Sequence, residues 1–207
     1  MEVIFRNYRD SDYPHCEALV NEAWSLDTNI ACQPLANLAK RVYTMGAIVS
    51  SNYLHVVEVD STVAGFIFGF NELARKPKRP IRYGLGILWR LFRTQCARPQ
   101  DKKDLIKALT AHEKNRTRVV DKGRSEITLF VVGKPHKAKG YGTRLWTGFR
   151  EHCRQSGVHS IIVETNKLGA SSFYEQMGFT HLANFDSPLH EYGTRSGQAC
   201  MYEYSLD

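Results

Sequence analysis

Residues 126–146 read Glu-Ile-Thr-Leu-Phe-Val-Val-Gly-Lys-Pro-His-Lys-Ala-Lys-Gly-Tyr-Gly-Thr-Arg-Leu-Trp. From Ser125 to Val132 the residues are β-branched and apolar, the composition of a strand. Gly133 to Gly142 is a basic turn containing glycine. From Gly142 onward Leu145, Trp146, Phe149 and Cys153 recur at helical spacing. A strand therefore enters a helix through a glycine-bearing loop. A helix N-terminus presents unpaired N–H groups at the positive end of a dipole, and Gly140 and Gly142 have no Cβ to hold a ligand away. The expected ligand is an anion, most simply a phosphate.

Spacing narrows the choice. A nucleoside-triphosphate loop needs Gly, four residues, then Gly-Lys-Ser/Thr, and Tyr141 follows Gly140 instead. A dinucleotide fingerprint needs a third glycine where Leu145 stands. What remains, Lys137-Ala-Lys-Gly140-Tyr-Gly142, resembles the Arg/Gln-x-x-Gly-x-Gly/Ala signature of the GNAT superfamily of N-acetyltransferases, whose loop wraps the pyrophosphate of acetyl-CoA. Taken alone, the loop reads equally as a glycine-rich turn with solvated lysines. A second segment decides between them. After a strand at Ser160 to Glu164 comes Asn166-Lys-Leu-Gly-Ala-Ser-Ser-Phe-Tyr174-Glu-Gln-Met-Gly178-Phe179, similar to the family's Asn-x-x-Ala-x-x-Phe/Leu-Tyr-Glu-x-x-Gly-Phe, with Gly178 placed to end a helix.

At 207 residues and 43% hydrophobic content the chain is expected to form one domain with a substantial core. Cys16, Cys32, Cys96, Cys153 and Cys200 are scattered without a Cys-x-x-Cys pair, which indicates neither a zinc site nor a disulfide framework. The charged N-terminus lacks the apolar core of a signal peptide, and no apolar run reaches membrane-span length; a cytoplasmic, soluble protein is expected. The formal charge of +7 is localised: residues 71–123 hold 15 Lys/Arg against 5 Asp/Glu, so the remainder of the chain is net negative.

In chain order, Val3 to Arg9 reads as a strand. Asp12 is an N-cap for a helix carrying Pro14, Cys16, Leu19, Val20, Ala23 and Trp24, and Ser25 to Gln33 is a polar turn before a second helix, Pro34 to Met45. Tyr53 to Val59 and Val63 to Phe70 form a hairpin whose second strand, apolar on both faces, belongs in the middle of a sheet. The family order then calls for another strand, but residues 71–123 intervene. Pro77 and Pro80 bracket a basic turn; Ile81 to Cys96 and Asp101 to Arg118 read as a helical hairpin. Three roles stay open for it: a lid on the core or on a second subunit, a basic face for an acidic acceptor, or a surface for membrane or nucleic acid. Strand Thr180 to Phe185, a polar loop from His190 to Gly197 and a last strand Gln198 to Leu206 close the chain.

The resemblance implies an α+β protein with a mixed sheet: the GNAT acyl-CoA N-acyltransferase fold over residues 1–207, with 71–123 a basic helical insertion between the third and fourth strands. It implies acetyl transfer from acetyl-CoA to a primary amine by direct attack in a ternary complex, without a metal. No cysteine lies in either motif to suggest an acyl-enzyme. Backbone groups of Phe130 and Val132 would hold the pantetheine arm. Lys137, Ala138, Lys139, Gly140, Tyr141, Gly142 and Thr143 would hold the pyrophosphate, and Asn166 would contact the cofactor. Tyr174 would serve the departing thiolate. Glu126, fourteen residues before Gly140 and in a Glu-Ile-x-x-Phe pattern, resembles the catalytic glutamate of the superfamily's histone acetyltransferases. By strand parity it should face one cleft with Thr128, Phe130 and Val132. Glu164 and water are the other candidate bases. Lys137 departs from the usual Arg/Gln, keeping charge but losing the fork, and Asn166 lies one residue too far from Ala170. A monomer or homodimer is expected, with an acceptor that itself carries negative charge if the basic segment faces it. The alternative is a non-catalytic module of the same fold that binds acyl-CoA or, through the basic insertion, nucleic acid.

Overall fold

The computed structural model describes residues 1–75, 80–95, 99–166, 170–195 and 197–207. Pro77, Cys96 and residues 167–169 of the second signature lie outside them. The strands are β1 (Val3–Asn7), β2 (Tyr53–Val59), β3 (Thr62–Phe70), β4 (Glu126–Val132), β5 (Ser160–Asn166), β6 (Thr180–Asp186) and β7 (Gln198–Ser205). The helices are α1 (Tyr13–Trp24), α2 (Leu26–Asn29), α3 (Gln33–Ser50), α4 (Pro80–Arg93), α5 (Pro99–Arg116), α6 (Tyr141–Gln155), α7 (Ser171–Gln176) and α8 (Pro188–Thr194).

All seven strands form one sheet, ordered β1-β2-β3-β4-β5-β7-β6. Every neighbouring pair is antiparallel except β4 and β5. β3 takes the central place its two apolar faces predict, and seven consecutive residues, Val63–Gly69, are buried. It is joined to β2 through Asp60 and Ser61, both at positive φ (46° and 65°), as a two-residue hairpin turn requires.

The sheet separates two apolar layers. On one face Cys16, Leu19 and Val20 of α1 and Leu35, Leu38 and Ala39 of α3 pack on Val56, Phe66, Phe68, Leu129 and Val131. On the other, Leu145, Trp146, Phe149 and Cys153, the stripe read from the sequence, pack with Tyr174 and Phe179 on Val57, Ile67, Ile127, Ile161 and Val163. Gly69 makes this second layer fit: a Cβ there would lie 2.5 Å from the Phe149 ring.

Several expectations are corrected. Asp12 precedes α1 but does not cap it, because its carboxylate accepts from the Arg9 N–H and from Arg6, which also reaches Glu58. The second helix starts at Gln33 and continues through Gly46 to Ser50, and the turn before it contains the single-turn α2, anchored by the fully buried Leu26. The polar stretch expected as a loop from His190 is instead α8, whose N-cap Ser187 accepts from the His190 N–H at 3.0 Å. Between β3 and β4, α4 lays Ile87 and Leu91 on the α1/α3 layer and bonds the Tyr83 hydroxyl to Val42 C=O, while Leu85, Trp89 and Phe92 face outward. α5 packs against α8.

Candidate active site

β4 and β5 pair only at Glu126↔Ile162 and Ile127↔Val163, after which they part. From Thr128 to Val132 the β5-facing edge of β4 has no strand neighbour among the described residues. The Gly133 N–H donates to Ala64 C=O, so the alternation of an antiparallel ladder turns the backbone groups of Leu129 and Val131 toward β3 and leaves those of Phe130 and Val132 facing the opening. These are the two residues expected to hold an extended arm. They fit that role, since an edge with unpaired N–H and C=O groups accepts an added strand.

The opening leads to the loop. Ala138 and Gly140 take positive φ (59° and 77°), Gly140 is the N-cap of α6, and Lys137, Ala138, Lys139, Gly140 and Thr143 are exposed. Tyr141 is buried, with its ring against Phe5 at 6.2 Å, so it anchors the helix start and leaves the backbone to meet a ligand. A Cβ on Gly142 would meet Phe173 and Phe130 at ordinary contact distance, so the helix itself tolerates a side chain there. Asn166 ends β5, and its Oδ1 is buried with no hydrogen-bond partner among the described residues, a polar atom available to a ligand.

Tyr174 is 5% exposed, and burial pushes its phenol well above the ordinary value. Its helix α7 ends in a Schellman motif: Gly178 (φ 89°) donates to Glu175 C=O, Phe179 donates to Tyr174 C=O, and the Phe179 ring lies 5.3 Å from that of Tyr174. The second signature thus fixes the tyrosine locally.

Glu126 occupies the other face. The register slips between Phe68 and Gly69, so Thr128 is an extra residue on β4 whose hydroxyl bonds Phe68 C=O. The bulge inverts the alternation: Ile127 belongs to the α6 layer, Leu129 to the α1/α3 layer. The expected shared parity of Glu126 with Phe130 and Val132 is therefore incorrect. Glu126, Thr128 and Leu129 line a cavity of about 570 Å³ between α3, α5 and β4, whereas Phe130 packs on Phe173, 5.5 Å away in the α6 layer.

Around Glu126 the structure assembles residues from four elements, α5, β4, β5 and α8 with its N-cap. Arg116, at the end of α5, bonds Glu126 Oε1 through Nη2 (2.6 Å) and Glu164 Oε2 through Nε (3.0 Å). Glu164 Oε1 lies 3.1 Å from His190 Nε2 and 3.7 Å from His112 Nε2. His112 Nδ1 is 2.9 Å from Ser187 Oγ; since that oxygen already accepts from His190 N–H, we assign its proton to the bond with His112. Burial raises the Glu126 pKa despite the opposing pull of Arg116. For Glu164 burial also acts upward, but the His190 hydrogen bond and the charges of His112 and Arg116 outweigh it, and the net direction is down. Burial lowers His112 and keeps it neutral at pH 7.

Of the candidate bases, only Glu126 lines the cavity. Arg116, His112, His190 and Ser187 were not singled out as site residues from the sequence. Arg116 counts among the basic residues of 71–123, His112 falls within the second helix of the hairpin, and His190 opens the stretch read as a polar loop. Their common signal is that α5 and α8 pack together, which only the fold reveals.

Comparison with known proteins agrees with this geometry. Residues 105–193 match the family model described as "Acetyltransferase (GNAT) domain". The match begins inside α5, so the last part of the segment read as an insertion, with His112 and Arg116, falls within it. Among solved structures, PH1933 from Pyrococcus horikoshii OT3 is similar with a TM-score of 0.63 at 13% identity, covering 100% of this chain and 99% of that one. The ribosomal-protein-S18-alanine N-acetyltransferase of Escherichia coli gives 0.57 at 11%, covering 100% and 95%. The protein yncA of Salmonella typhimurium, solved with its cofactor acetyl-CoA, gives 0.54 at 15%, also covering 100% and 95%. A search of the curated proteins finds no match. At these identities the structural likeness defines the fold. The chain has the GNAT acetyltransferase fold, and residues 105–193 match the model of that domain, in line with the two signatures.

Proposed function

We propose that the chain transfers the acetyl group of acetyl-CoA to a primary amine by direct attack in a ternary complex. One observation carries this reading: the strands part beside the glycine loop, and the same gap adjoins a cavity lined by an acidic residue. Bound acetyl-CoA would supply an activated thioester. Phe130 and Val132 would hold its arm through their backbone, and the first-turn amides of α6 with Lys137 and Lys139 its pyrophosphate. Asn166 Oδ1 would accept a hydrogen bond from it. The Salmonella protein of the same fold, solved with acetyl-CoA as its cofactor, supports the same cosubstrate.

Glu126 is the base in this account. An alkyl amine of pKa near 10.4 is neutral in about one molecule in 2,500 at pH 7, a penalty of roughly 4.6 kcal/mol, so a positioned proton acceptor is useful. A carboxylate with a raised pKa is better matched to that task than one with a lowered pKa, and Glu164 is also held by Arg116 and His190. Tyr174 assists as a hydrogen-bond donor. A phenol above its usual value holds its proton more tightly than a thiol of pKa about 8.5, so it stabilises the departing thiolate without ceding the proton.

Thiol release from acetyl-CoA in the presence of an amine panel tests the proposal on the wild type, Glu126→Gln and Glu164→Gln. Loss in Glu126→Gln beyond that in Glu164→Gln, with acetyl-CoA affinity retained, is the expected outcome. Tight acetyl-CoA binding without release for any amine would leave the non-catalytic acyl-CoA-binding module instead.

A further inference from the structure

We infer that the acceptor is a primary amine carried on an uncharged apolar body, with no carboxylate or phosphate of its own. The inference rests on the acetyltransferase reading and names the substrate class of that site. At about 570 Å³ the cavity is large enough for a body well beyond a simple alkylamine. Its walls are Val42 and Ala47 of α3, Leu105 and Leu109 of α5, Leu129 of β4 and Leu189 of α8. Against these, an apolar body gains by leaving water, while a charged one loses its hydration without a partner.

The polar end of the cavity favours a cation. Glu126 is there, and the guanidinium beside it is already engaged, with Nε on Glu164 and Nη2 on Glu126. Arg124, the other basic lining residue, pairs with Glu203 and bonds Ser160 Oγ at 2.7 Å. An acceptor carboxylate brought to this end would meet the Glu126 carboxylate, whose neighbouring Arg116 is already shared with Glu164. A protonated amine would meet Glu126, which can then take its proton before attack on the thioester.

This reverses the preference suggested by net charge. Among the described basic residues of 71–123, Arg90, Arg93, Lys103, Lys107 and Lys114 are exposed, and Lys122, 69% exposed, pairs with Glu113. The inner side of α5 presents Leu105 and Leu109 to the cavity, with Arg116 neutralised by carboxylates. On α5 the exposed lysines thus lie away from the cavity that Leu105 and Leu109 line.

Calorimetric titration of four amines, with and without saturating CoA, tests the inference. Tryptamine and hexylamine present an amine on an apolar body, tryptophan adds a carboxylate to the first, and ethylamine removes the body. Tryptamine or hexylamine should bind at least ~100-fold more tightly than tryptophan and ethylamine. Leu109→Asn should weaken that binding about 10-fold. Tryptophan or ethylamine binding as tightly as the apolar amines, or none of the four binding, would overturn it. An acetyl-CoA titration on the same protein separates the two readings. If acetyl-CoA binds and tryptophan is acetylated as readily as tryptamine, the acceptor inference falls and the acetyltransferase reading stands. If acetyl-CoA does not bind, that reading falls, and the titration without CoA still decides the cavity's preference.

Discussion

The two faces of the gap between β4 and β5 are built in opposite ways. On the α6 face the recognition elements are nearly continuous in sequence: an open strand edge, a loop with two positive-φ residues, a helix N-terminus and a capped tyrosine helix, all within 126–146 and 166–179. On the α5 face the groups that meet come from residues 112, 116, 126, 164, 187 and 190, and not one lies beside its partner in sequence. Backbone recognition is specified by local conformation, which glycines and spacing record. A cluster of side chains is specified by packing, which no short motif records. The first face suits a ligand common to many proteins and the second one particular to this chain.

The largest effect that would sharpen this contrast is kinetic. Glu126→Gln should lower kcat by about 10² to 10⁴ while leaving acetyl-CoA affinity within a factor of about two, because the residue lies on the acceptor face. A matching loss of acetyl-CoA affinity would merge the two faces into one site.

Next is stability. Arg116→Met leaves Glu126 and Glu164 facing each other without their shared cation, at side-chain exposures of 23% and 15%. Breaking such a pair costs about 3 kcal/mol, which for a chain of this size lowers Tm by roughly 6–12 °C at pH 7. Glu126, left without its cation while Glu164 keeps His190, would then hold a proton more tightly in the folded state than in the unfolded state. The variant should recover stability as pH falls, and urea melts at pH 7 and pH 5 would show this. A deficit that does not change with pH would mean that Arg116 acts through packing.

The smallest effect separates the groups within the cluster. His112 is shifted down by burial, so the unfolded chain binds its proton first; its contribution is present above the ordinary value of 6.5 and is lost as pH falls through the folded-state value. Glu164, also shifted down, contributes in the same sense but only below its ordinary 4.5, and Glu126, shifted up, contributes in the opposite sense. Stability should therefore begin to fall below pH 6.5, where buried His55 and His152 act in the same sense, and His112→Gln, which can still accept from Ser187, should remove its own share of that loss. An unchanged profile would show that His112 holds its proton equally well in the folded and unfolded states.

Much of the fold was legible in the sequence because its strongest signals are local. β3 is apolar on both faces, α6 repeats its stripe, and Gly178 ends α7 where left-handed φ is needed. Element ends were less so: α3 runs through Gly46, since packing of Ala47 and neighbouring residues outweighs one glycine's cost of about 1 kcal/mol. In the site, Phe130 and Val132 face the opening, as a backbone role would need, whereas Glu126 faces away from its expected side. Strand parity assumes an unbroken ladder, and the bulge at Thr128, held by its bond to Phe68 C=O, has no signature in Glu-Ile-Thr-Leu. Arg116 was read as surface charge because only the docking of α5 on α8 brings it over β4 and β5.

Calorimetric titration of acetyl-CoA into the wild type and Gly142→Glu tests the central claim most directly, namely that the gap ending at the α6 N-terminus receives the cofactor. A Cβ at residue 142 meets its neighbours at ordinary contact distance, so the variant should keep its fold and its circular dichroism. The account predicts micromolar binding to the wild type and loss of at least about 100-fold in the variant, whose carboxylate takes the anion's place at the helix terminus. Equal binding to both proteins, or none to the wild type, would contradict it.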